Sequence, residues 1–335
     1  MFDLPSPYLL FLGNAKDELA VKTAKALFEW VPEKCLGQMC LPGCKINLDL
    51  PHLSIQEAST RGAKSLVIGT AAAGGKIDPS WHLLFIEALK SGLNLINGLH
   101  EQLSQIPCIA EEAEKTGKQL MDLRQSNLPL PIGKGKKRLG RRLLTVGTDC
   151  SIGKMYTSLC LTRALKAKGI SASFRATGQT GMMIAGSGIA VDAVVADFIA
   201  GAAELISPPN DENHWDIIEG QGSIMHPSFS GVSLGLLHGS QADAIVMCHE
   251  PTRTHMRGLS HYPMPSLKSC IELSLSLAEI TNPEVKCLGV SVNSSKLAPY
   301  AKEKLLRQIE DETGLVAVDP KLDIAPLVER LIDLC

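Results

Sequence analysis

A strand pattern, a glycine-containing loop and a helix pattern follow one another without a break between residues 143 and 169. Residues 143–146 are apolar, as in a buried strand, and helix-forming residues continue from about 153 to 168. The loop between them has a glycine, five further residues and Gly-Lys, whereas a standard P-loop has four residues before Gly-Lys-Ser/Thr. Backbone N–H groups of such loops, with the N terminus of the next helix, bind phosphate. We therefore predict a phosphate-binding site formed by Gly147, Thr148, Asp149, Cys150, Ser151, Ile152, Gly153, Lys154, Met155 and Tyr156.

The residue after the predicted P-loop lysine differs from that of nucleotide-hydrolysing P-loops. Met155 stands where a serine or threonine normally binds Mg²⁺, and a thioether is a poor ligand for a hard cation. Thr157 lies two residues further on, at another face of the helix. The sequence therefore favours binding of a diphosphate over hydrolysis of a nucleotide. We predict no metal site, because the spacing of Cys35, Cys40 and Cys44 also fits no standard zinc knuckle.

The N-terminal part of the chain alternates short apolar runs with helical patterns, which is typical of a parallel α/β sheet. The predicted strands are 8–13, 65–69, 93–96 and 119–123, and the predicted helices are about 16–31, 54–62, 80–91 and 109–117. A glycine-rich loop at 69–75 follows the second strand, but there is no G-x-G-x-x-G pattern to predict a dinucleotide. Ligands in such sheets bind at the carboxyl ends of the strands.

Residues 126–142 separate two predicted domains. This segment contains two prolines, three glycines and six basic residues, a composition typical of a solvated linker. We predict a Rossmann-like N-terminal domain at 1–125, a basic Pro/Gly linker at 126–142 and a P-loop NTPase-like C-terminal domain at 143–335. The predicted fold is α/β, with a parallel sheet in each of the two domains.

Polar residues recur where the predicted strands of the C-terminal domain end. Glu219 follows strand 216–218, and a helical pattern that starts near Asp192 runs to about residue 206. An acidic residue beside a P-loop is a common ligand or water-positioning group in nucleotide enzymes, whereas Asp192 could equally be a helix cap. The other polar residues near these strand ends are Arg175, Thr177, Gln179, Thr180, Gln221, Ser223, His226 and Arg253.

Composition and charge exclude several classes of partner. The formal net charge of −2 gives no global electrostatic attraction to nucleic acid or to an anionic membrane. The N terminus lacks the basic start of a secretory signal, and no apolar segment is long enough to span a bilayer. We therefore expect a cytoplasmic protein with a small-molecule substrate and with its ten cysteines reduced.

Several motifs along the whole chain resemble one family, the D-glutamate N-acetyltransferases, long catalogued as a domain of unknown function. The motifs are GTAAAGGKIDPSW, SGLNLINGLHEQL, LMDLR, GTDCSIGKM, ATGQTG, VDAVVADFIAGAAE, IEGQGSIMHP, LLHGSQADAIVMCHEPTR and GVSVN. Met155 belongs to this pattern. The resemblance implies transfer of acetyl from acetyl-CoA to the amino group of D-glutamate, an acidic D-amino acid.

Such a transfer needs a base, groups for the substrate carboxylates and donors for the tetrahedral intermediate. Asp192 is the first choice for the base, with Glu219 and His226 as alternatives, and Lys154 contacts the phosphates. The candidate carboxylate ligands are Arg175, Thr180 and Arg253, and the candidate donors are loop N–H groups and Ser223.

Two other functions remain open at this point. The loop and the IEGQGS strand end are similar to dethiobiotin synthetase, which implies a ligase or kinase with Lys154, Asp149 and Glu219 around Mg-ATP. A nucleotide-binding regulatory protein of the MinD type is the other alternative. By analogy with P-loop proteins that build sites at subunit interfaces, we expect a homodimer.

Overall fold

The computed structural model describes residues 4–71, 73–125 and 129–334. These residues form two compact units, each of them α/β. The first contains the described residues of 1–127 together with Met182–Ala193, and the second contains those of Leu128–Gly181 and Val194–Cys335. The first three residues of the predicted linker, 126–128, lie outside the described residues.

The N-terminal unit contains a five-stranded parallel sheet with the order β2-β1-β3-β4-β5. Its strands are Tyr8–Gly13 (β1), Cys35–Cys40 (β2), Ser65–Ile68 (β3), Asn94–Asn97 (β4) and Leu120–Asp122 (β5). Its helices are Lys22–Trp30 (α1), Ile55–Thr60 (α2), His82–Lys90 (α3) and Pro107–Thr116 (α4). Four predicted strands and four predicted helices are confirmed within a few residues.

Strand β2 was not predicted. It lies at the edge of the sheet, where only Gly37 and Gln38 of its six residues are buried. An edge strand of this kind carries no continuous apolar run, so the hydrophobic pattern does not reveal it. The core of the unit is nonetheless apolar, and Phe11 of β1 meets Trp81 and Phe85 edge to face, at 5.0 and 5.5 Å between ring centroids.

The C-terminal unit contains a six-stranded parallel sheet with the order β11-β10-β9-β6-β8-β7. Its strands are Arg141–Gly147 (β6), Ala172–Arg175 (β7), Trp215–Ile218 (β8), Ala244–His249 (β9), Lys286–Val292 (β10) and Val316–Val318 (β11). Because β6 lies between β8 and β9, the loops that follow these three strands meet at one edge of the sheet.

Seven α-helices follow the start of this sheet in the chain. They are Lys154–Ala167 (α5), Gln179–Ala185 (α6), Ile199–Ile206 (α7), Ser230–Ser240 (α8), Leu267–Ala278 (α9), Pro299–Thr313 (α10) and Ala325–Ile332 (α11). Short 3₁₀ turns occur at Glu18–Val21, Pro32–Lys34, Ala73–Gly75, Pro79–Trp81, Leu103–Gln105, Val191–Ala193 and Ala196–Phe198. Among the described helices, none is both long and apolar enough to cross a membrane.

The prediction of one helix from near Asp192 to residue 206 is wrong. Two 3₁₀ turns, Val191–Ala193 and Ala196–Phe198, precede a helix that begins only at Ile199. Branched valines at 191, 194 and 195 restrict side-chain rotamers and so disfavour a regular helix there. Asp192 consequently does not cap α7.

The interpretation of the basic segment as a solvated linker is also wrong for two of its arginines. Arg142 is 1% exposed and donates to the backbone oxygens of Arg138, Leu139, Gly140 and Pro208 and to the hydroxyl of Ser207. The Arg138 side chain similarly donates to the carbonyls of residues 207, 239 and 240 and to the side chain of Gln241. The hydrogen bonds of these two arginines hold the segment against the rest of the C-terminal unit.

We expect Arg142→Ala to destabilise the protein by about 3–5 kcal/mol, because five acceptors would lose a buried cationic donor. Lys136→Ala, an exposed basic residue of the same segment, should change the free energy of unfolding by less than about 0.5 kcal/mol. Urea unfolding of both variants measures the difference. Equal stability of the two variants would mean that Arg142 is not a structural residue.

Candidate phosphate-binding site

The loop between β6 and α5 presents a row of unpaired backbone donors. Among the described residues, the N–H groups of Ser151, Ile152 and Gly153 have no hydrogen-bond acceptor. Gly153 adopts φ +113°, a conformation that favours glycine, and Ser151 lies at φ +50°. The N terminus of α5 follows directly and adds the positive end of its dipole. The loop therefore has the donors that an anion requires.

The orientation of these donors is set by Arg253. Its guanidinium donates to the carbonyl oxygens of Cys150 and Ser151, at 2.7 and 2.9 Å. In a planar trans peptide the C=O of one residue and the N–H of the next point in opposite directions. The N–H groups of Ser151 and Ile152 are consequently turned away from Arg253.

Asp149 is a fully buried carboxylate within the same loop. Arg253 donates to its Oδ2 at 2.6 Å, and the backbone N–H of Arg257 donates to the same oxygen at 2.9 Å. The N–H of Cys150 donates to its Oδ1 at 2.6 Å. Arg253, a predicted substrate ligand, thus forms hydrogen bonds that orient the loop, and its ion pair with Asp149 fixes the guanidinium in place.

Lys154 lies beneath the loop and is 6% exposed. Its ammonium donates to the carbonyl oxygen of Asp149 at 2.7 Å. Desolvation lowers the pKa of this ammonium, because burial disfavours the charged form. The side-chain stem lies close to Gly220, where a Cβ would also collide with the carbonyl oxygen of Thr145. Glycine at 220 therefore allows the close approach of the Thr145 backbone and, beside it, of the Lys154 stem.

The predicted acid Glu219 is buried and accepts hydrogen bonds from the loop that follows β7. Its Oε2 accepts from the N–H groups of Thr177 and Gly178, at 3.0 and 3.1 Å, and the Thr177 hydroxyl donates to the Glu219 backbone oxygen. Gln221 donates to the hydroxyl of Thr177 at 3.1 Å. A Cβ at Gly181 would collide with the Glu219 carboxylate. These contacts tie the strand end after β8 to the start of α6, which contains Gln179 and the nearly buried Thr180.

His226 and Ser223 are both buried and hydrogen-bonded to backbone. The ring Nδ1 of His226 accepts from the N–H of Ser228 at 3.1 Å, which leaves Nε2–H to donate to the carbonyl of Arg257 at 3.0 Å. The Ser223 hydroxyl accepts from the N–H of Met225 at 3.3 Å. With both ring nitrogens engaged, His226 is poorly placed to accept a substrate proton.

One group of potential metal ligands lies at the loop, but its contacts do not suit a cation. Ligand atoms of Asp149, Cys150 and His226 lie within 4.8 Å of one another. Both oxygens of Asp149 already accept hydrogen bonds, one of them from the cationic Arg253. Burial raises the pKa of the Cys150 thiol and so disfavours the thiolate that a metal would need. We assign no metal to this group.

Two predicted site residues have partners elsewhere. Arg175, at the end of β7, donates to the buried carboxylate of Asp216 at 2.7 Å. Asp192 belongs to the N-terminal unit, where it forms an ion pair with Arg124. The prediction that Asp192 projects from the start of a helix in the P-loop domain is therefore wrong. Arg124 was not predicted as a site residue, although its place two residues after the end of β5 is a signal for one.

A Rossmann-like parallel sheet joined to a P-loop sheet defines the class of protein to which this chain belongs. Residues 131–328 match the family described as domain of unknown function (DUF1611_C) P-loop domain. Residues 39–126 match its companion, the domain of unknown function (DUF1611_N) Rossmann-like domain. The chain is a member of the DUF1611 family, which confirms the predicted α/β fold of two domains.

Two curated relatives match nearly the whole chain. Proteins of Tritonibacter scottomollicae and of a Pseudoalteromonas species are each 49% identical over 317 residues, which is 95% of this chain and 95% and 96% of theirs. Both are named D-glutamate N-acetyltransferase. A crystal structure of a DUF1611 family protein from Anabaena variabilis is 32% identical, with a TM-score of 0.87 over 98% of this chain and all of that one.

We expect Lys154→Met to stabilise the ligand-free protein near neutral pH, because it removes a buried charge. The folded pKa of Lys154 is lowered from its ordinary value of about 10.5, so the unfolded chain binds the proton more readily. The free energy of unfolding of the natural protein should therefore rise as the pH increases toward about 10.5. The difference in this free energy between Lys154→Met and the natural protein should shrink over the same range.

Chemical denaturation between pH 7 and pH 10.5 measures this difference. Lys136→Met, which removes an exposed lysine, is the matched control and should show no such dependence on pH. A difference between Lys154→Met and the natural protein that is constant over this range would contradict the assignment.

Proposed function

We propose that this protein is an N-acetyltransferase that transfers the acetyl group of acetyl-CoA to the amino group of D-glutamate. The relatives named for this activity are 49% identical over 95% of the chain. The structural observation that carries the proposal is that the N–H groups of Ser151, Ile152 and Gly153 have no acceptor within the described part of the chain, in a loop whose Asp149 carbonyl accepts from Lys154. Coenzyme A carries a diphosphate, and such a row of donors suits it.

The absence of a hydroxyl beside Lys154 supports a donor that needs no Mg²⁺. Met155 follows the lysine, and the nearest threonine of the helix, Thr157, is buried. Its Oγ1 donates to the carbonyl of Gly153 at 3.1 Å and lies 2.7 Å from the hydroxyl of Ser291. Because a Mg-ATP enzyme needs a hard ligand at this position, these contacts disfavour both the ligase and the regulatory alternatives.

The reaction places definite demands on the chain. The substrate ammonium must lose a proton, after which the amine attacks the thioester carbonyl carbon. A C–N bond forms and the C–S bond breaks, and coenzyme A leaves as a thiolate that takes up a proton. The phosphate-binding loop binds acetyl-CoA and takes no part in these bond changes. Lys154 and the loop N–H groups thus bind the donor and position its thioester.

Asp192 is the proposed proton acceptor. Its carboxylate is 29% exposed, whereas the carboxylate of Glu219 is buried and bonded to two backbone N–H groups. Both nitrogens of His226 are likewise bonded to backbone. Of the three candidates named from the sequence, Asp192 is the one whose side chain is accessible to a dissolved substrate.

We expect the purified protein to convert D-glutamate and acetyl-CoA into N-acetyl-D-glutamate and free coenzyme A. Mass spectrometry of the product and a thiol assay of the released coenzyme measure the two halves of the reaction. Asp192→Asn should reduce the rate about a hundredfold or more, since loss of a general base typically costs 10²–10⁴-fold. Raising the pH should partly restore this variant, because solvent then deprotonates the ammonium. An Asp192→Asn rate near that of the natural protein from pH 7 to 9 would exclude Asp192 as the base.

We expect acetyl-CoA to raise the melting temperature without added Mg²⁺, because a ligand of the native state stabilises it. Lys154→Met should weaken this binding about tenfold or more, roughly 1.4 kcal/mol, through loss of a charge-assisted contact. Thermal shift and calorimetric titration measure both effects. Strict dependence on Mg²⁺, or stronger stabilisation by ATP than by acetyl-CoA, would instead favour the ligase alternative.

A further inference from the structure

Four chain segments that the proposed donor site does not use meet at the carboxyl edge of the N-terminal sheet. The Arg124 side chain, after β5, donates from Nε to the carbonyl of Gly98 at 2.9 Å and pairs through Nη1 with Asp192. The loop after β4 also contains His100, which packs against Gly75 of the loop after β3, 2.6 Å from where a Cβ of Gly75 would lie. Each segment carries one of the motifs GTAAAGGKIDPSW, SGLNLINGLHEQL, LMDLR or VDAVVADFIAGAAE.

This edge is held in place by hydrogen bonds from within the unit. Asn97, at the end of β4, donates to the carbonyl of Glu101 at 2.8 Å and to Asp122 at 2.7 Å. The Asp122 carboxylate also accepts from the N–H groups of Leu103 and Ser104. The loop after β4 and the end of β5 are thereby fixed to each other, and Arg124 follows this fixed point by two residues. Preorganisation of this kind is typical of a binding site.

A second observation at the same edge points to a ligand. Thr70 follows β3, and its buried hydroxyl has no hydrogen-bond partner within the part of the chain that the structure describes. A buried hydroxyl without a partner costs free energy unless some other molecule satisfies it. The strand order β2-β1-β3-β4-β5 places the topological switch point between β1 and β3, next to Thr70. Ligands of open α/β sheets bind at this point.

The charges at this edge are suited to a zwitterion. The side chains of Arg124 and Asp192 are 11% and 29% exposed, so each is partly desolvated and each compensates the other. An α-amino acid brings one carboxylate and one ammonium, and it can insert between the pair without leaving either residue uncompensated. Arginine also offers the planar donor pair that matches a carboxylate.

We propose that this edge of the N-terminal unit binds the amino-acid substrate, with Arg124 on a carboxylate and Asp192 on the ammonium. The identity of the amino acid rests on the proposed function, and for D-glutamate the side-chain carboxylate extends toward Thr70 and His100. In this arrangement Asp192 contacts the proton that the ammonium loses. The N-terminal unit thus recognises the acceptor substrate.

Calorimetric titration of D-glutamate into the full-length protein, with no acetyl donor present, tests the proposal. We expect binding by the natural protein and at least a roughly tenfold increase in Kd for Arg124→Gln and for Asp192→Asn. Arg61→Gln, which changes an exposed arginine after α2, is the matched control and should bind as the natural protein does. No detectable binding by the natural protein, or equal binding by all variants, would overturn the proposal.

A double variant separates recognition from structural pairing. Arg124→Met with Asp192→Leu removes both charges at once, so no uncompensated charge remains and the fold should persist. A melting curve like that of the natural protein, together with loss of D-glutamate binding, is the expected result. Retained binding by this folded variant would overturn the proposal.

The acetyl-transfer assay distinguishes failure of this site from failure of the proposed function. If the natural protein binds D-glutamate through these residues but forms no N-acetyl product, the site stands and the proposed function fails. If product forms and the KM for D-glutamate is unchanged in Arg124→Gln and in Asp192→Asn, the proposed function stands and the site is excluded.

Discussion

The buried carboxylate of Asp149 is the constraint on which the P-loop depends. A fully desolvated charge is tolerated only when donors surround it, and Asp149 has a guanidinium and two backbone N–H groups. The guanidinium is that of Arg253, which also donates hydrogen bonds to the carbonyl oxygens of Cys150 and Ser151. One buried ion pair therefore determines which way the peptides of the loop face, and the donors for a phosphate follow from it.

The same principle explains why several arginines that the sequence assigned to solvent or to a ligand instead have partners within the chain. Arg138, Arg142 and Arg175 each meet acceptors within the C-terminal unit, much as Arg253 does in the loop. Five fixed donors on one planar group can satisfy several carbonyl oxygens where chain segments converge. A basic residue in a glycine- and proline-rich segment can therefore be buried and hydrogen-bonded to the backbone as well as exposed to solvent.

Much of the fold could be predicted from the sequence, since buried parallel strands are apolar runs followed by polar or glycine-rich loops. Edge strand β2 could not, because its exposed side chains break that pattern. The valine-rich stretch before α7 has helical periodicity, but its branched side chains disfavour a regular helix, and it forms two 3₁₀ turns. In the site, the phosphate-binding loop between β6 and α5 could be predicted, because its strand, loop and helix are consecutive in the sequence. The pairing of Arg124 with Asp192 joins residues 68 positions apart, and no local pattern can reveal it.

The residues of Met182–Ala193 give the N-terminal unit a discontinuous sequence. A gene fragment that stops in the basic segment would encode all five strands of that sheet yet would lack the partner of Arg124. The two halves therefore cannot be exchanged between relatives as separate modules without also exchanging this inserted stretch. During synthesis, likewise, the N-terminal sheet is complete before its last acidic residue leaves the ribosome, so its charge balance is reached only after the P-loop has been made.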